Sequence, residues 1–322
     1  MTTIKDVAQA AGVSVGTVSK VLNNTGTIAA ATRERVAEVA RALNFRPNTL
    51  AQSLHSGLSG SIGLVSNDSF GRFTMPIMEG LEAVLAKDGV GVFMCNATDD
   101  PERERRHVEQ LLSKQIDGLI VTSRRSDHRP AMQLAGLGIP VIHVFAHSDD
   151  PDALSLLPDD EGGARLAVEH LALTRARIAH ITGPARFEAV RLRVAGYRAA
   201  LGDAALPVLH GPWSEAWGRE AVAQLLADPP DGIFCGNDQI ARGAADALRE
   251  AGLRVPQDVA LIGFDNWGVI AEACRPPLSS VDMCLKDLGA EAGRRMLAMI
   301  AGASFRGLER LPCNLVLRAS AP

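Results

Sequence analysis

The amino-acid sequence predicts an α/β protein with two doubly wound parallel-sheet lobes, preceded by a small all-α head. Helical periodicity alone marks the first 46 residues, and short apolar runs alternate with amphipathic helices in the rest. Residues 1–60 are basic, with six Lys or Arg against three Asp or Glu, whereas residues 61–322 are acidic. The length of 322 residues, 47% of them hydrophobic, suffices for two or three globular domains.

Composition and charge narrow the class of protein. A basic head points to a polyanionic partner such as nucleic acid, although this small excess of charge is also common on solvated surfaces. No apolar run approaches the ~20 residues of a membrane span, and Lys5 and Asp6 fall where a secretion signal needs apolar residues. The five cysteines are scattered and form no CxxC pair, so no zinc site or disulfide framework is expected. We therefore expect a cytoplasmic protein without a membrane partner.

The head is predicted to hold three short helices. Thr3 and Asp6 can form a capping box at the start of the first helix, and Gly12 supplies a left-handed stop. Ser14 can cap the second helix only two residues later, which is helix-turn-helix spacing. A third helix is expected at about 30–43.

The second helix carries a candidate contact surface. Its apolar residues Val18, Val21 and Leu22 are predicted to point inward. The outward residues are small, hydroxylated or basic: Val15, Gly16, Thr17, Ser19 and Lys20. The alternative is an isolated three-helix bundle with no partner. Against it, a helix face with such short side chains can approach the floor of a DNA groove closely.

Residues 61–322 alternate strand-like and helical segments. The apolar runs predicted as strands are 61–65, 91–95, 118–121, 140–144, 177–181, 232–235 and 259–264. Amphipathic helices lie between them, for example Met78 to Lys87 and Pro101 to Lys114. This alternation predicts parallel sheets covered by helices on both faces, and two sets of strands predict two lobes. A ligand is then expected in the cleft between the lobes, at the carboxyl ends of the strands.

Two groups of motifs carry a family resemblance. In the head they are Thr3-Ile4-Lys5-Asp6-Val7-Ala8, Ala11-Gly12-Val13-Ser14, Thr17-Val18-Ser19-Lys20-Val21-Leu22-Asn23 and Arg46-Pro47-Asn48. In the body they include Asp117-Gly118-Leu119-Ile120, Asn237-Asp238, Gly263-Phe264-Asp265 and Arg275-Pro276-Pro277-Leu278. With these motifs the chain strongly resembles the LacI family of bacterial transcription regulators. The resemblance implies a body like that of periplasmic sugar-binding proteins, in which the chain crosses between lobes three times.

For the head, the resemblance implies contact with the DNA major groove. The residues placed to read base edges there are Val15, Gly16 and Lys20. The residues placed to contact the DNA backbone are Ser14, Thr17, Ser19, Asn23 and Asn48. Lys20 stands where many relatives carry Arg, so bidentate recognition of guanine is replaced by a single point donor.

Residues 47–60 are expected to form a hinge. Pro47 ends the third helix, and residues 48–55 can form a helix so short that it needs a docking partner. The resemblance implies that Leu54 contacts bases by wedging into the central step of the minor groove, which bends the duplex. The alternative is that Leu54 is an ordinary core contact of a linker helix.

The body contains five candidate effector contacts. They are Phe73, Arg193, Trp213, Asn237 and Asp265, and all five coincide with effector-contacting positions in the resembling family. Charged and amide groups can bind hydroxyls or carboxylates, and aromatic rings can stack on a sugar face or a base. Three structural alternatives stay open: Asp265 could cap a helix, Arg193 could pair with Glu188, and Trp213 could belong to the core.

The predicted domains follow from these assignments. They are a head at 1–46, a hinge at 47–60, an N-lobe at about 61–154 and 282–306, and a C-lobe at about 155–281 and 307–322. The chain ends soon after the last predicted strand, near Cys313 to Leu317, without the C-terminal helix that makes some relatives tetramers. We therefore expect a homodimer.

The leading hypothesis is a repressor whose affinity for a palindromic double-stranded DNA operator is controlled by a small effector, best matched by a sugar or sugar derivative. A solute-binding protein of a transporter is disfavoured by the helical head, and an enzyme by the lack of GxxxxGK, HExxH or GxSxG motifs. Side chains of the types that bind metals are clustered at one place, at His143, His147, Asp149 and Asp150. We interpret this segment as a loop that connects the lobes and not as a metal site. No metal and no cofactor is expected.

Overall fold

A computed structural model describes residues 2–22, 25–45, 57–124, 127–129 and 137–322. The chain divides into two compact units, residues 1–59, which include the head, and residues 60–322, which form the body. The helices, in chain order, are α1 (Ile4–Ala11), α2 (Val15–Leu22), α3 (Ala30–Ala42), α4 (Thr74–Leu85), α5 (Pro101–Ser113), α6 (Asp160–Ala172), α7 (Glu188–Leu201), α8 (Glu215–Leu225), α9 (Asp238–Glu250), α10 (Gly268–Ala271) and α11 (Leu285–Ile300). Among these described helices, none is long and apolar enough to cross a membrane.

The strands of the body, in chain order, are β1 (Ser61–Ser66), β2 (Gly91–Asn96), β3 (Gly118–Thr122), β4 (His128–Arg129), β5 (Val141–Val144), β6 (His147–Ser148), β7 (Leu154–Pro158), β8 (Ile178–Thr182), β9 (Val208–His210), β10 (Gly232–Cys235), β11 (Ala260–Phe264), β12 (Ser279–Asp282), β13 (Gly307–Leu311) and β14 (Asn314–Val316). They form two six-stranded sheets and one two-stranded ribbon of β4 and β6. The predicted α/β architecture with two parallel-sheet lobes is thus confirmed.

The head is the predicted helix-turn-helix. Thr3 and Asp6 form the capping box of α1, and Gly12 ends that helix in the left-handed conformation, with φ of 65°. The core consists of small and β-branched residues: Val7, Ala8, Ala11, Val18, Val21, Val36 and Ala40. The Nε of Arg35 donates to the Ala11 carbonyl oxygen at 3.1 Å and ties α3 to the end of α1. These contacts leave the outer face of α2 outside the core.

The N-lobe sheet has the strand order β13-β7-β5-β3-β1-β2, and all its pairings are parallel. The C-lobe sheet has the order β14-β12-β11-β10-β8-β9, parallel except for the antiparallel pair of β12 and β14. The chain passes between the lobes after β7, after β12 and after β13, as expected. The central strands are fully buried, which matches helices on both faces of a parallel sheet.

The predicted lobe boundaries are wrong at two places. Residues 155–158 and 307–311 were assigned to the C-lobe, but they form β7 and β13, which pair with each other at the edge of the N-lobe sheet. The local pattern of a strand does not reveal which sheet it joins, because the pairing partners lie far away in sequence. Helix α4 also begins four residues before the predicted start at Met78. Pro76 lies in its first turn, where a missing N–H costs nothing.

One close helix contact sets the geometry of the C-lobe. A Cβ added at Gly196 of α7 would lie 2.2 Å from the carbonyl oxygen of Glu161 in α6. Only glycine lets the two helices approach this closely, since any side chain would force them apart. The approach brings the middle of α7 against the start of α6.

Candidate functional site

The exposed face of α2 contains the residues predicted to read DNA bases. Val15, Gly16 and Lys20 are exposed, whereas Val18 and Val21 of the same helix are buried in the core of the head. A Cβ added at Gly16 would meet only the Ser14 Oγ, at 3.7 Å, so almost no side chain covers the helix backbone at this point. The arrangement suits close approach of the first turn to a groove floor.

Two of the predicted DNA-backbone contacts are bonded to each other at the start of α2. The Ser14 Oγ accepts from the Thr17 N–H at 3.1 Å and lies 2.9 Å from the Thr17 Oγ1. The helix N-terminus is therefore capped by Ser14, and its hydroxyl cluster faces the same side as the positive end of the helix dipole. Ser19 is half-buried. Asn23, Asn48 and Leu54, also predicted to contact DNA, lie outside the described residues.

In the body, Arg193 is the most firmly held of the predicted effector contacts. Its Nε and Nη2 lie 2.8 and 2.7 Å from the Asp160 Oδ1, and its Nη1 donates to the Gly236 carbonyl oxygen. The guanidinium carbon lies 3.6 Å from the centre of the Phe264 ring. Arg193 is buried and does not pair with Glu188, so that structural alternative is wrong.

Asp160 is a partner that the sequence analysis missed. It lies at the start of α6 and is completely buried, and burial raises its pKa, although Arg193 opposes this. Its Oδ2 has no hydrogen-bond partner among the described residues. The signal in the sequence was a carboxylate two residues after a buried strand, 33 residues from Arg193.

Asp265 follows β11 and has a left-handed backbone, with φ of 102°. Such a conformation is strained for a residue other than glycine, and here it directs the side chain into the cleft between lobes. The Oδ1 lies 3.9 Å from the Arg193 Nη1, and the Oδ2 forms an ion pair with the Nη2 of Arg72. Burial raises the pKa of Asp265, and the two guanidinium groups lower it. Because both carboxylate oxygens of Asp265 face guanidinium groups, the alternative that Asp265 caps a helix is not supported.

The other three candidates have different surroundings. Asn237 is buried and caps α9, because its Oδ1 accepts from the Ile240 N–H at 2.8 Å. Trp213 is half-buried, with its ring centre 6.4 Å from that of Phe187 and 6.0 Å from the guanidinium carbon of Arg193. Phe73 stacks on Phe145, with ring centres 4.9 Å apart. Asn237 thus has a structural role at the N-terminus of α9.

Arg72 joins these groups and was also missed from the sequence. It precedes Phe73 in the loop between β1 and α4, and its guanidinium carbon lies 4.9 Å from the centre of the Phe73 ring. Through its ion pair with Asp265, it links the N-lobe candidate to the C-lobe candidates. One signal was available, since Arg72 is the only Lys or Arg between Arg46 and Lys87.

Glu188 forms a second set of contacts between the lobes. Its Oε1 lies 2.8 Å from the Nη2 of Arg310 in β13, and its Oε2 lies 3.2 Å from the Nδ1 of His147. Its backbone N–H, at the start of α7, donates to the Asp127 Oδ1 at 2.6 Å. His147 thus contacts Glu188 across the cleft, and among the described residues no group of three metal-ligand side chains was found.

Comparison with known proteins identifies the family. A model of bacterial regulatory proteins of the lacI family matches residues 3–48, and a model of a periplasmic binding protein-like domain matches residues 168–321. The HTH-type transcriptional regulator DegA of Bacillus subtilis (strain 168) is 33% identical, over 99% of this chain and 98% of that protein. The chain belongs to the LacI family.

Two further LacI-family proteins show how far the similarity extends. The ribose operon repressor of Escherichia coli (strain K12) is 33% identical over 90% of each chain. The solved structure of the lac repressor dimer bound to operator and the anti-inducer ONPF has a TM-score of 0.78 and 30% identity, covering 99% of each chain. This chain is accordingly a DNA-binding transcription regulator with an effector-binding body, and it is not an enzyme.

Proposed function

We propose that this LacI-family regulator is a repressor that binds a palindromic operator as a homodimer and responds to a small hydroxylated effector in the cleft. The observation that carries the proposal is the pair formed by Arg193 of α7 and Asp265 after β11, which lie 3.9 Å apart with side chains only 6% and 7% exposed. Such a pair offers fixed donors and an acceptor to hydroxyl groups. Because operator DNA lies inside the cell, we place the working protein in the cytoplasm.

In the head, α2 would lie in the major groove. Val15 and Gly16 would contact apolar base edges such as the thymine methyl, and Lys20 would donate to a purine acceptor. Ser14, Thr17 and Ser19 would hold phosphates near the N-terminus of α2, together with Asn23 and Asn48. Leu54 would wedge into the minor groove at the centre of the site.

In the cleft, an effector would meet rigid polar groups and flat rings. Asp160, the Gly236 carbonyl and the Phe264 ring fix the guanidinium of Arg193, so it loses little freedom when it binds a hydroxyl. Asp265 would accept from hydroxyls, and Asn237 would add an amide. The rings of Trp213 and Phe73 would cover the faces of a sugar. A solved transcriptional regulator CelR in complex with cellobiose, 27% identical with a TM-score of 0.67, supports a sugar-like effector.

The homodimer is supported by the edge of the N-lobe sheet. Strand β2 is an outer strand of that sheet, and its Phe93 and Met94 side chains are 48% and 46% exposed. The outer edge of β2 pairs with no described strand, and such an edge with apolar side chains invites pairing with another chain unless something covers it. A second copy of this chain would cover it, and a dimer would match the two halves of a palindrome.

The proposal is tested by selecting duplexes from a random pool with the purified full chain. We expect a palindromic consensus, release of the selected duplex by a sugar or sugar derivative, and affinity that falls steeply with salt. Lys20→Ala should weaken binding to the selected duplex, whereas Lys87→Ala, an exposed lysine of the body, should not. Enrichment of no sequence, or of sequences without two-fold symmetry, would contradict the proposal.

A further inference from the structure

Arg72 crosses the cleft between the lobes. It belongs to the N-lobe, but its Nη2 is paired with the Asp265 Oδ2 and its Nη1 donates to the Gln239 Oε1 at 3.3 Å, both in the C-lobe. Its guanidinium carbon lies 4.4 Å from the centre of the Trp267 ring and 4.9 Å from that of Phe73. The cation thus lies between an aromatic ring of each lobe.

The ion pair is secluded from solvent. The side chains of Arg72 and Asp265 are 15% and 7% exposed. The Nε of Arg72 is buried and has no acceptor among the described residues. The Nε–H of Arg72 is therefore an unused donor on the same side chain that contacts Asp265.

Both oxygens of Asp265 already face a guanidinium. The Oδ2 faces Arg72, and the Oδ1 lies 3.9 Å from Arg193. Arg193 is held by Asp160 and Gly236, whereas Arg72 has no other ion pair among the described residues. When an effector hydroxyl takes the place of Arg72 at the Oδ2, Arg72 loses its one ion pair among the described residues, and a buried guanidinium without a counter-charge is unfavourable.

We propose that Arg72 selects an anionic effector, a polyhydroxylated molecule that carries a carboxylate or a phosphate. The hydroxyls bind Asp265, and the anionic group replaces Asp265 as the partner of Arg72, including the unused Nε. A planar guanidinium matches the two oxygens of such a group in a bidentate manner. A neutral sugar that takes the place of Arg72 on Asp265 offers no anion in return, so the guanidinium would be left unpaired. This inference rests on the proposed effector site in the cleft.

The test compares matched ligands by titration calorimetry with the full chain, at neutral pH and physiological salt. The sets are D-ribose with ribose 5-phosphate, D-galactose with D-galacturonate, and D-glucose with both glucose 6-phosphate and D-glucuronate. We expect at least one anionic member to bind about tenfold or more tightly than its neutral twin. The two glucose derivatives distinguish carboxylate from phosphate, since they share one sugar.

Substitutions then ask whether Arg72 causes the preference. Arg72→Ala should bring the affinity ratio of the preferred pair close to one, because the anion loses its partner while Asp265 is freed for the neutral twin. Arg72→Lys should keep part of the preference, since it retains the charge but not the fork. Arg249→Ala should leave the ratio unchanged, because Arg249 lies at the far end of the helix that carries Gln239, is 57% exposed and pairs with Asp246.

Two outcomes would overturn the inference: no anionic ligand that binds more tightly than the neutral sugar of its set, or an affinity ratio that is unaltered in Arg72→Ala. Either outcome can be distinguished from failure of the proposed function, because that function is tested by operator selection. Operator selection requires neither Arg72 nor an effector. A neutral sugar that releases the operator would support the proposed repressor function and would refute selection of an anionic effector.

Discussion

Replacing Asp238 with asparagine should make the protein more stable above neutral pH, although no contact is gained. Asp238 is buried at the start of α9, where its Oδ1 accepts from the Ser280 Oγ at 2.6 Å and its Oδ2 accepts from the Trp267 N–H at 2.7 Å. Burial, and next the nearby charge of Asp265, raise its pKa from 3.8 to about 7. The folded protein therefore prefers this side chain without charge.

The sign and size of the effect follow from proton linkage. The folded chain keeps the proton on Asp238 up to about pH 7, whereas the unfolded chain releases it near 3.8. Between these values the folded state binds more protons, so the free energy of unfolding falls as pH rises. At about 1.4 kcal/mol per pH unit, the full penalty above pH 7 is about 4 kcal/mol. An asparagine amide can accept from Trp267 and donate to the Ser280 hydroxyl, so Asp238→Asn should recover about 2 kcal/mol or more.

The assay is urea unfolding of the wild type and Asp238→Asn at a series of pH values, because the difference between them cancels other titrating groups. The two free energies should converge at acidic pH and separate steadily as pH approaches 7. Asp246→Asn, on the same helix, removes a partly exposed ion pair with Arg249 and should instead lower the stability slightly above neutral pH. A pH-independent difference for Asp238→Asn, or one that favours the wild type above neutral pH, would refute the reasoning.

Three further predictions concern DNA, effector and assembly. Leu54→Ala should weaken operator binding in gel shift, and equal affinity would refute the minor-groove wedge. Arg193→Lys keeps a cation for Asp160 but loses the planar fork, so it should abolish release of the operator by effector while basal operator binding persists; unchanged effector affinity by calorimetry would exclude Arg193 from the site. Phe93→Glu should shift sedimentation toward the monomer, and an intact dimer would mean that the β2 edge is not the interface.

The cleft is best understood as two linked ion-pair systems. Arg72 joins the lobes through Asp265, and Glu188 joins them through Arg310 and His147. Any ligand that alters the first system changes what holds the lobes together, and by linkage whatever the lobes control must alter ligand affinity in the same proportion. If the proposed effector site is correct, the same side chains set effector specificity and hold the lobes together.

Features that depend on neighbours along the chain could be predicted from the sequence, whereas features that depend on distant residues could not. The capping box at Thr3, the stop at Gly12 and the exposed face of α2 are local features, so their spacing in the sequence was enough to predict them. Arg193 and Asp265 were predicted from their positions after strands and from family motifs, and the structure brings them within 3.9 Å of each other. Their roles toward an effector stay predictions.

What the sequence by itself determined was the kind of element at each point and the family to which the chain belongs. The tertiary structure alone decided that β7 and β13 complete the N-lobe sheet, that Asp160 holds Arg193, and that Arg72 reaches Asp265 from 193 residues away. The physical reason is that turns and helix faces depend on neighbours along the chain. Strand partners and buried ion pairs depend instead on which distant groups are removed from water together.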